Sequence, residues 1–118
     1  MLLEKPKQGE VWRVNLDPGV GSEMGKTRPC VVLSSPGIGV LPLCIIVPIT
    51  NWNPAFTSYL WMTWLDPGEV NGLTKPSGAD GFQVRSVSHE RFVNKIGEVS
   101  AERLRRIEET IQVCIETR

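Results

Sequence analysis

The chain has 118 residues, a length that suits one compact domain able to bury a modest core without metal ions or disulfide bonds. Its 13 Lys and Arg residues balance its 13 Asp and Glu residues, so the net charge at pH 7 is zero and no overall basic field favours nucleic acid. A site for a polyanion would therefore have to be local. We predict a single domain spanning residues 1–118.

The cysteines and the N-terminal segment indicate the compartment. Cys30, Cys44 and Cys114 are odd in number, lack C-x-x-C spacing and lie in apolar runs, which favours reduced thiols in the core of a cytoplasmic protein. The first residues lack the apolar region of a signal peptide, and no uninterrupted apolar run reaches 18 residues. We therefore expect neither secretion nor contact with a membrane.

Four segments are typical of β-strands. "EVWRVNL" at 10–16 alternates apolar and polar residues, the pattern of a half-buried strand. "PCVVLSS" at 29–35 and "LPLCIIVPIT" at 41–50 are short apolar runs bounded by Gly and Pro, and they predict central strands. "TSYLWMTWL" at 57–65 predicts a fourth strand, because aromatic residues and Thr favour a pleated surface.

The C-terminal part predicts short strands and turns over 81–100 and then an amphipathic helix. Ser100 is suited to cap the helix, and Val99 and Leu104 have the spacing of a hydrophobic staple. The predicted apolar face comprises Leu104, Ile107, Ile111 and Ile115. Strands followed by one helix indicate an α+β domain built on a small barrel or a strongly curved sheet.

Three segments carry a resemblance to a known family. They are "GEVWRVNLDPGVGSEMGKTRPCVVLSS", then "VPIT", then "FQVRSVSHERFVNKIGEVSAERLRRIEETIQVCI". In this order, over nearly the whole chain, they resemble the MazF/PemK (Kid-like) family of toxin endoribonucleases. The most specific piece is Gly-Ser-Glu-x-Gly-x-x-Arg-Pro after an Asp-Pro turn, followed by Pro-Ile-Thr at the end of the next apolar strand.

The resemblance implies a fold, an activity and partners. The fold would be a small SH3-like β-barrel of the MazF/CcdB type with a C-terminal helix, assembled as a homodimer. The activity would be cleavage of single-stranded RNA at short sequences, without a metal or cofactor, leaving a 2′,3′-cyclic phosphate and a 5′-hydroxyl. A cognate antitoxin would block the active groove.

The chemistry of two residues supports the same activity. Transesterification by the 2′-hydroxyl of RNA requires in-line alignment, stabilisation of charge on pentavalent phosphorus and proton transfer at both oxygens. The planar guanidinium of Arg28 can grip two phosphate oxygens, and the Thr50 hydroxyl can donate to a third. If the strands that begin at Arg28 and end at Thr50 pair as an antiparallel hairpin, the two side chains converge.

The resemblance also assigns roles. Arg28 stands where the family has its catalytic arginine, Thr50 where it has a catalytic Ser or Thr, and Glu23 at a position important for toxicity. Because arginine stays protonated, we expect Arg28 to stabilise the phosphorane rather than to act as a base; it can also donate to the leaving 5′-oxygen. His89 carries an imidazole, the side chain most often used as a general base, yet we favour a surface residue over a catalyst.

Five further residues are candidate substrate contacts, each with a structural alternative. Trp52 can stack on an unpaired base or cap the barrel. Asn51 and Asn53 can read base edges, although turn formation is favoured. Lys26 can contact the RNA backbone or be merely solvated, and Arg85 can contact substrate or a second subunit.

One departure from the family pattern affects base recognition. Family members commonly have an acidic residue directly before the Gln of Gln-Val-Arg, whereas this chain has Phe82, with Asp80 two places earlier. The remaining aromatic residues are expected in the core or at an interface. They are Trp12, Trp61, Trp64 and Phe92.

Two functional hypotheses remain open at this stage. The first is the endoribonuclease toxin, in which the loop before Arg28 forms a lid hinged at Gly21 and Gly25 and contacts the antitoxin. The second is a non-catalytic SH3-like interaction module, such as a CcdB-like gyrase poison or an inactive relative. The Arg28 and Thr50 pair favours the enzyme, because a pure binding module has no need of a phosphate-gripping pair.

Overall fold

The computed structural model describes residues 5–36, 38–39 and 41–116. These residues form seven strands, three single 3₁₀ turns and one α-helix. The strands are β1 (Glu10–Asn15), β2 (Thr27–Val32), β3 (Leu43–Asn51), β4 (Met62–Leu65), β5 (Ser77–Asp80), β6 (Arg85–Ser88) and β7 (Phe92–Glu98). The 3₁₀ turns are Pro54–Ser58, Gly81–Gln83 and His89–Arg91, and the helix α1 is Ala101–Ile115.

The strands form one antiparallel sheet in the order β4-β5-β3-β2-β1-β7, and β6 also pairs with β3. Strand β3 is long enough to hold two partners on one edge, β6 along Leu43–Ile46 and β5 along Ile49–Asn51. The α+β fold with a C-terminal helix is confirmed. The closed barrel is not, because β4 and β7 end the sheet and do not pair with each other within the described residues.

Each face of the sheet carries a separate hydrophobic cluster. We call one the helix face, where Val47 and Ile49 pack with Ile107 of α1. We call the other the loop face, where Cys44 and Ile46 pack in a cluster that the loop residue Met24 covers. Because side chains alternate along a strand, Thr50 projects on the loop face, as Cys44 and Ile46 do.

Two sequence expectations about the strands were wrong. The fourth strand was predicted over 57–65, but only Met62–Leu65 is extended, and a 3₁₀ turn occupies Pro54–Ser58. This turn begins where the Asn53 side chain accepts a hydrogen bond from the Ala55 amide at 2.9 Å, so Asn53 serves the turn as expected. Strand β5 was not predicted, because "SGAD" consists of residues that rarely favour strands.

The C-terminal helix follows its sequence signals closely. The Ser100 hydroxyl accepts a hydrogen bond from the Arg103 amide at 3.1 Å, and Val99 and Leu104 both pack against the helix-face cluster. The predicted apolar face ends early, since Ile115 is 71% exposed. No described helix has the length and apolar character needed to cross a bilayer.

A buried carboxylate ties the start of β1 to β7. One oxygen of Glu10 accepts hydrogen bonds from the Trp12 indole at 2.9 Å and from the Lys7 amide at 2.7 Å, and the other lies 3.0 Å from Lys95 Nζ. Burial is the largest single influence and raises the pKa of Glu10, but the bonds from Trp12, Lys7 and Lys95 together lower it below 4.5. Glu10 is therefore a source of acid-sensitive stability.

Replacing Glu10 by Gln is expected to lower the free energy of unfolding at pH 7 by about 1–2 kcal/mol. Because the folded-state pKa lies below the unfolded one, the contribution of Glu10 is present above pH 4.5 and is lost as the pH falls through the folded-state pKa. Urea unfolding between pH 7 and pH 3 should show the wild type and Glu10→Gln converging in acid. A constant difference across this range would contradict the assignment.

Candidate active site

A cavity of about 320 Å³ opens between the start of β2 and the end of β3. Its lining includes both Arg28 and Thr50. The two strands pair antiparallel from Val32 and Ile46 to Cys30 and Pro48, and the cavity lies beyond the last of these pairs, where Arg28 and Thr50 face it from the two strands. The convergence that the sequence predicted is therefore present.

Arg28 is half-buried, and a hydrogen bond to the backbone of the preceding loop orients its side chain. Its Nε–H donates to the Gly25 carbonyl oxygen at 2.9 Å, which leaves the two terminal amino groups as the donors that Arg28 can offer to the cavity. Two amino groups in one plane match a pair of phosphate oxygens. The hydrogen bond to Gly25 restricts the side chain before substrate arrives, so little entropy is lost on binding.

The rest of the lining is mostly polar, and Pro29 and Ile49 are its apolar members. Lys26 and Asn51, both predicted as substrate contacts, lie there, and Lys26 has a left-handed backbone with φ of 64°. Four other lining residues were not singled out from the sequence: Thr27, Pro29, Ile49 and Ser77. Ser77 pairs with Asn51 in the register of β3 and β5, so no local signal could reveal it before strand β5 was known.

Polar contacts hold the loop over 16–26 against the sheet. The Lys26 amide donates to Asp17 Oδ1 at 2.6 Å, and a Cβ atom at Gly25 would lie 2.7 Å from that same oxygen. From the far side, Gln83 accepts from the Met24 amide at 3.0 Å and donates to the Ser22 carbonyl at 2.8 Å. Gly25 thus permits close packing, and Gln83 holds the loop on both sides of Glu23.

Three predicted substrate residues lie outside the cavity lining, and two of them, Glu23 and Arg85, contact the loop over 16–26. Glu23 is exposed at the loop tip, where its carboxylate accepts a hydrogen bond from the Val20 amide at 3.0 Å. Arg85 is half-buried beneath the loop and donates to the Leu16 carbonyl at 3.4 Å. In this structure both residues support the loop that borders the site.

Trp52 lies beside the site rather than in it. Its indole packs over Gly78 of β5, where a Cβ atom would lie 3.1 Å from the ring, and it meets Trp64 edge to face at 4.9 Å. Trp64 and Trp61 were expected in the core or at an interface. Neither belongs to the two core clusters, whereas Trp12 and Phe92 do.

His89 lies at the opposite end of β3 from Thr50. Its Nε2 atom is 3.2 Å from Cys44 Sγ, and six residues of β3, about 20 Å of strand, separate Cys44 from Thr50. The position agrees with the non-catalytic interpretation of His89, although its ring is half-buried instead of fully exposed.

One thiol, that of Cys30, lies near the site, since Cys30 follows the lining residue Pro29 in β2. Burial raises the pKa of Cys30, which is adjacent to the cavity, to about 12, although the Arg85 and Arg28 charges lower it. Cys30 and Cys44 are buried and Cys114 is half-buried, so the expectation of core thiols holds for the first two alone. A protonated Cys30 is a packing residue and not a nucleophile.

Asp80 does not replace the missing acidic residue before Gln83. Its carboxylate caps the 3₁₀ turn at Gly81–Gln83 by accepting from the Phe82 amide at 3.0 Å. Burial raises the pKa of Asp80, and the bonds from the Phe82 and Gln83 amides oppose that effect. Phe82 itself is 69% exposed. The departure from the family pattern therefore leaves an aromatic ring on the surface.

The lining can hold and polarise a phosphate group. Arg28 and Lys26 bring positive charge, and Thr50 and Ser77 bring hydroxyl groups, whereas none of the described lining residues carries a carboxylate or an imidazole. Elsewhere in the described chain, no three His, Cys, Asp or Glu side chains are arranged to bind a metal ion. Charge stabilisation by fixed cationic donors is the chemistry that this arrangement offers.

Comparisons with known proteins agree with this geometry. The family of PemK-like, MazF-like toxins of type II toxin-antitoxin systems matches residues 7–115. The endoribonuclease MazF9 of Mycobacterium tuberculosis is 34% identical over 119 residues, an alignment that covers 93% of this chain and 96% of that protein.

Solved structures show the same fold. MazF from Deinococcus radiodurans superposes with a TM-score of 0.80 at 23% identity, covering 95% of this chain and 97% of that one. A mycobacterial endoribonuclease in complex with its cognate antitoxin superposes with a TM-score of 0.71 at 15% identity, covering 96% and 99%.

The class of protein follows from the open antiparallel sheet, the terminal helix and the cavity that Arg28 and Thr50 share. The chain belongs to the family of PemK-like, MazF-like toxins of type II toxin-antitoxin systems.

Proposed function

We propose that this protein is a sequence-specific endoribonuclease, an mRNA interferase, that cleaves single-stranded RNA by attack of its 2′-hydroxyl on the adjacent phosphate. The observation that carries the proposal is the cavity that Arg28 and Thr50 share, although 22 positions separate the two residues in the sequence. The relative named an endoribonuclease, 34% identical over nearly the whole chain, supports the same activity.

In the proposed reaction the scissile phosphate binds in the cavity. The terminal amino groups of Arg28 hold two non-bridging oxygens, and their charge stabilises the phosphorane as negative charge accumulates. The Thr50 hydroxyl donates to a further oxygen and fixes the phosphate in line with the attacking 2′-oxygen. The 2′-hydroxyl gives its proton to water as its oxygen bonds to phosphorus. The bond between phosphorus and the 5′-oxygen breaks as Arg28 donates a proton to that oxygen and then regains one from water, which leaves a 2′,3′-cyclic phosphate and a 5′-hydroxyl.

The neighbouring residues have graded roles in this proposal. Lys26 and Asn51, which line the cavity, contact the backbone and the base beside the cut. Trp52 stacks on an unpaired base next to Asn51. Glu23 and Arg85 act indirectly, because they support the loop at 16–26 instead of lining the cavity.

The proposal extends to partners and compartment. A mycobacterial endoribonuclease of the same fold has been solved with its cognate antitoxin, and we propose that an antitoxin likewise covers the cavity here. We further propose a cytoplasmic homodimer that acts on RNA without a metal ion or cofactor. The 2′-hydroxyl reaction is compatible with a metal-free site, because its nucleophile belongs to the substrate.

The test is incubation of the purified protein with a long single-stranded RNA in EDTA, with the cut ends mapped. We expect discrete cuts at one short sequence, with 5′-hydroxyl ends, and protection of the same sequence when it is annealed into a duplex. If a folded preparation makes no cuts in an RNA that contains every short sequence, the non-catalytic interaction module replaces the enzyme.

A further inference from the structure

The aromatic residues are distributed unusually between core and surface. The chain has eight, and only Trp12 and Phe92 belong to the buried clusters. The other six form one continuous run outside the core, which we call the aromatic run. Its members are Trp52, Phe56, Tyr59, Trp61, Trp64 and Phe82. Large rings usually go into the core, where their burial contributes most, so six exposed or half-exposed rings need a reason.

Successive rings of the run touch. From Trp64 the centroids are 4.9 Å apart to Trp52 and then 5.4 Å to Phe56. The run continues from Phe56 over 5.7 Å to Tyr59, over 4.8 Å to Trp61 and over 5.9 Å to Phe82. Spacings of this size are those of directly packed aromatic pairs. The run is therefore a connected surface and not a scatter of single exposed rings.

Three rings of the run are exposed, and each packs against a half-buried ring. Trp64 and Tyr59 are each 37% exposed and Phe82 is 69% exposed, whereas Trp52 and Trp61 are half-buried. The half-buried rings hold their exposed neighbours in place; Trp61, for example, stacks on Tyr59 with an angle of 18° between the rings. A ring fixed in this way loses little freedom when a flat ligand stacks on it.

The run begins at the candidate active site. In the register of the sheet, Thr50 is opposite Gly78, and Gly78 is opposite Trp64, so Thr50 and Trp64 project on the loop face on either side of a glycine. A Cβ atom at Gly78 would lie 2.7 Å from Met62 Cε and 3.1 Å from the Trp52 ring. Gly78 thus leaves room for the Trp52 ring beside the residue that pairs with Thr50.

We propose that the aromatic run is an extended binding surface for the unpaired bases of the RNA strand beyond the cleavage site, with Trp64, Tyr59 and Phe82 as successive stacking faces. This inference rests on the proposed function, because it requires an RNA strand in the cavity. Stacking on aromatic rings is tolerant of sequence, since every base has a π-face, so the run adds affinity for long substrates and not specificity.

The charge of the segment fits a nucleic acid strand. Residues 51–65, which supply five of the six rings, contain no Asp, Glu, Lys or Arg. The carboxylate beside the run is that of Asp80, which is opposite Met62 in the β4-β5 register and accepts a hydrogen bond from the Phe82 amide. The positive charge lies instead at the origin of the run, where Lys26 and Arg28 line the cavity. A cationic site that continues into stacked aromatic rings is the general arrangement of proteins that bind single strands.

The test compares substrates of different length. The mapped cut site defines a short RNA that holds only the recognition sequence, and two longer RNAs extend it with unpaired nucleotides on the 5′ or the 3′ side. The wild type should have a higher kcat/KM on one extended RNA than on the short one. Tyr59→Ala and Phe82→Ala should each reduce this ratio about 10-fold and leave kcat/KM for the short RNA unchanged.

Two variants control for loss of apolar surface. Leu60 is 71% exposed in the same segment and has no ring, so Leu60→Ala should preserve the ratio, as should Tyr59→Phe, which keeps the stacking face. An unchanged ratio in Tyr59→Ala and Phe82→Ala, with the short RNA still cut, overturns this inference alone. An equal loss in Leu60→Ala also overturns it, in favour of an apolar surface for a protein. A wild type that cuts no RNA overturns the proposed function and this inference together.

Discussion

Arg28→Ala is expected to lower kcat/KM for RNA cleavage about 1,000-fold, equivalent to about 4 kcal/mol of transition-state stabilisation. The reason is that Arg28 offers the cavity a planar pair of cationic donors, already oriented by the Nε–H bond to the Gly25 carbonyl. Negative charge on the phosphorane is greatest in the transition state, so the loss should appear mainly in kcat. Single-turnover cleavage of the mapped site measures it.

Two further variants show whether the loss in Arg28→Ala comes from the positive charge, from the planar guanidinium or from removal of any arginine. Arg28→Lys keeps the positive charge and loses the planar fork, so it should recover only part of the rate. Arg105 is an exposed arginine on α1, remote from the cavity lining, and Arg105→Ala should cut RNA at the wild-type rate. An Arg28→Ala protein that is folded by thermal unfolding and still cuts at the wild-type rate would remove Arg28 from the mechanism.

The second large effect is expected from Thr50→Val, which removes one hydroxyl and keeps the shape of the side chain. We expect about a 100-fold loss in kcat/KM, since one donor to the phosphate disappears while the β3-β5 register stays. The side chain is only half-buried, so the unfolding midpoint in urea should change little.

Thr50→Ser is the control for this variant. The serine retains the hydroxyl on the same strand position and should keep most of the wild-type activity. The assignment of Thr50 as the phosphate-fixing donor would fail if the Val and Ser variants showed equal rates in a single-turnover assay on the mapped site.

The parts of the fold that the sequence predicted are those with a strong periodic signal. Strand β1 follows from alternating residues, β2 and β3 from continuous apolar runs, and α1 from a cap at Ser100 followed by a helical stripe. Each of these patterns lies within the strand or helix that it predicts, so no tertiary contact is needed to recognise it. For this reason the hairpin of β2 and β3, on which the site depends, was also predictable.

The parts that the sequence did not predict depend on tertiary contacts. Strand β5 reads "SGAD" and has almost no strand propensity, and it is extended because it fills the space between β3 and β4. The open sheet, in place of a closed barrel, depends on how β5 and β6 divide one edge of β3. Neither strand β5 nor the open sheet produces a periodic pattern of apolar residues in the sequence.

The candidate site divides in the same way. Arg28 and Thr50 were predictable because their strands pair directly, and Lys26 and Asn51 because they are next to these two residues. Ser77 enters the cavity only through β5, and Gln83 reaches the loop from 61 residues away to bond the Ser22 carbonyl. The aromatic run was not predicted, because strand spacing favoured the core or an interface for Trp61 and Trp64, and the contacts between the rings depend on tertiary packing.

The central claim is that the cavity of Arg28 and Thr50 cleaves RNA through the substrate's own 2′-hydroxyl. The most direct test is a synthetic RNA of the mapped site in which the nucleotide 5′ of the cut carries a single 2′-deoxy substitution. The account predicts that wild-type protein binds this RNA as it binds the unmodified one and does not cut it. Cleavage of the substituted RNA at the normal position would contradict the account, because the nucleophile would then have to come from elsewhere.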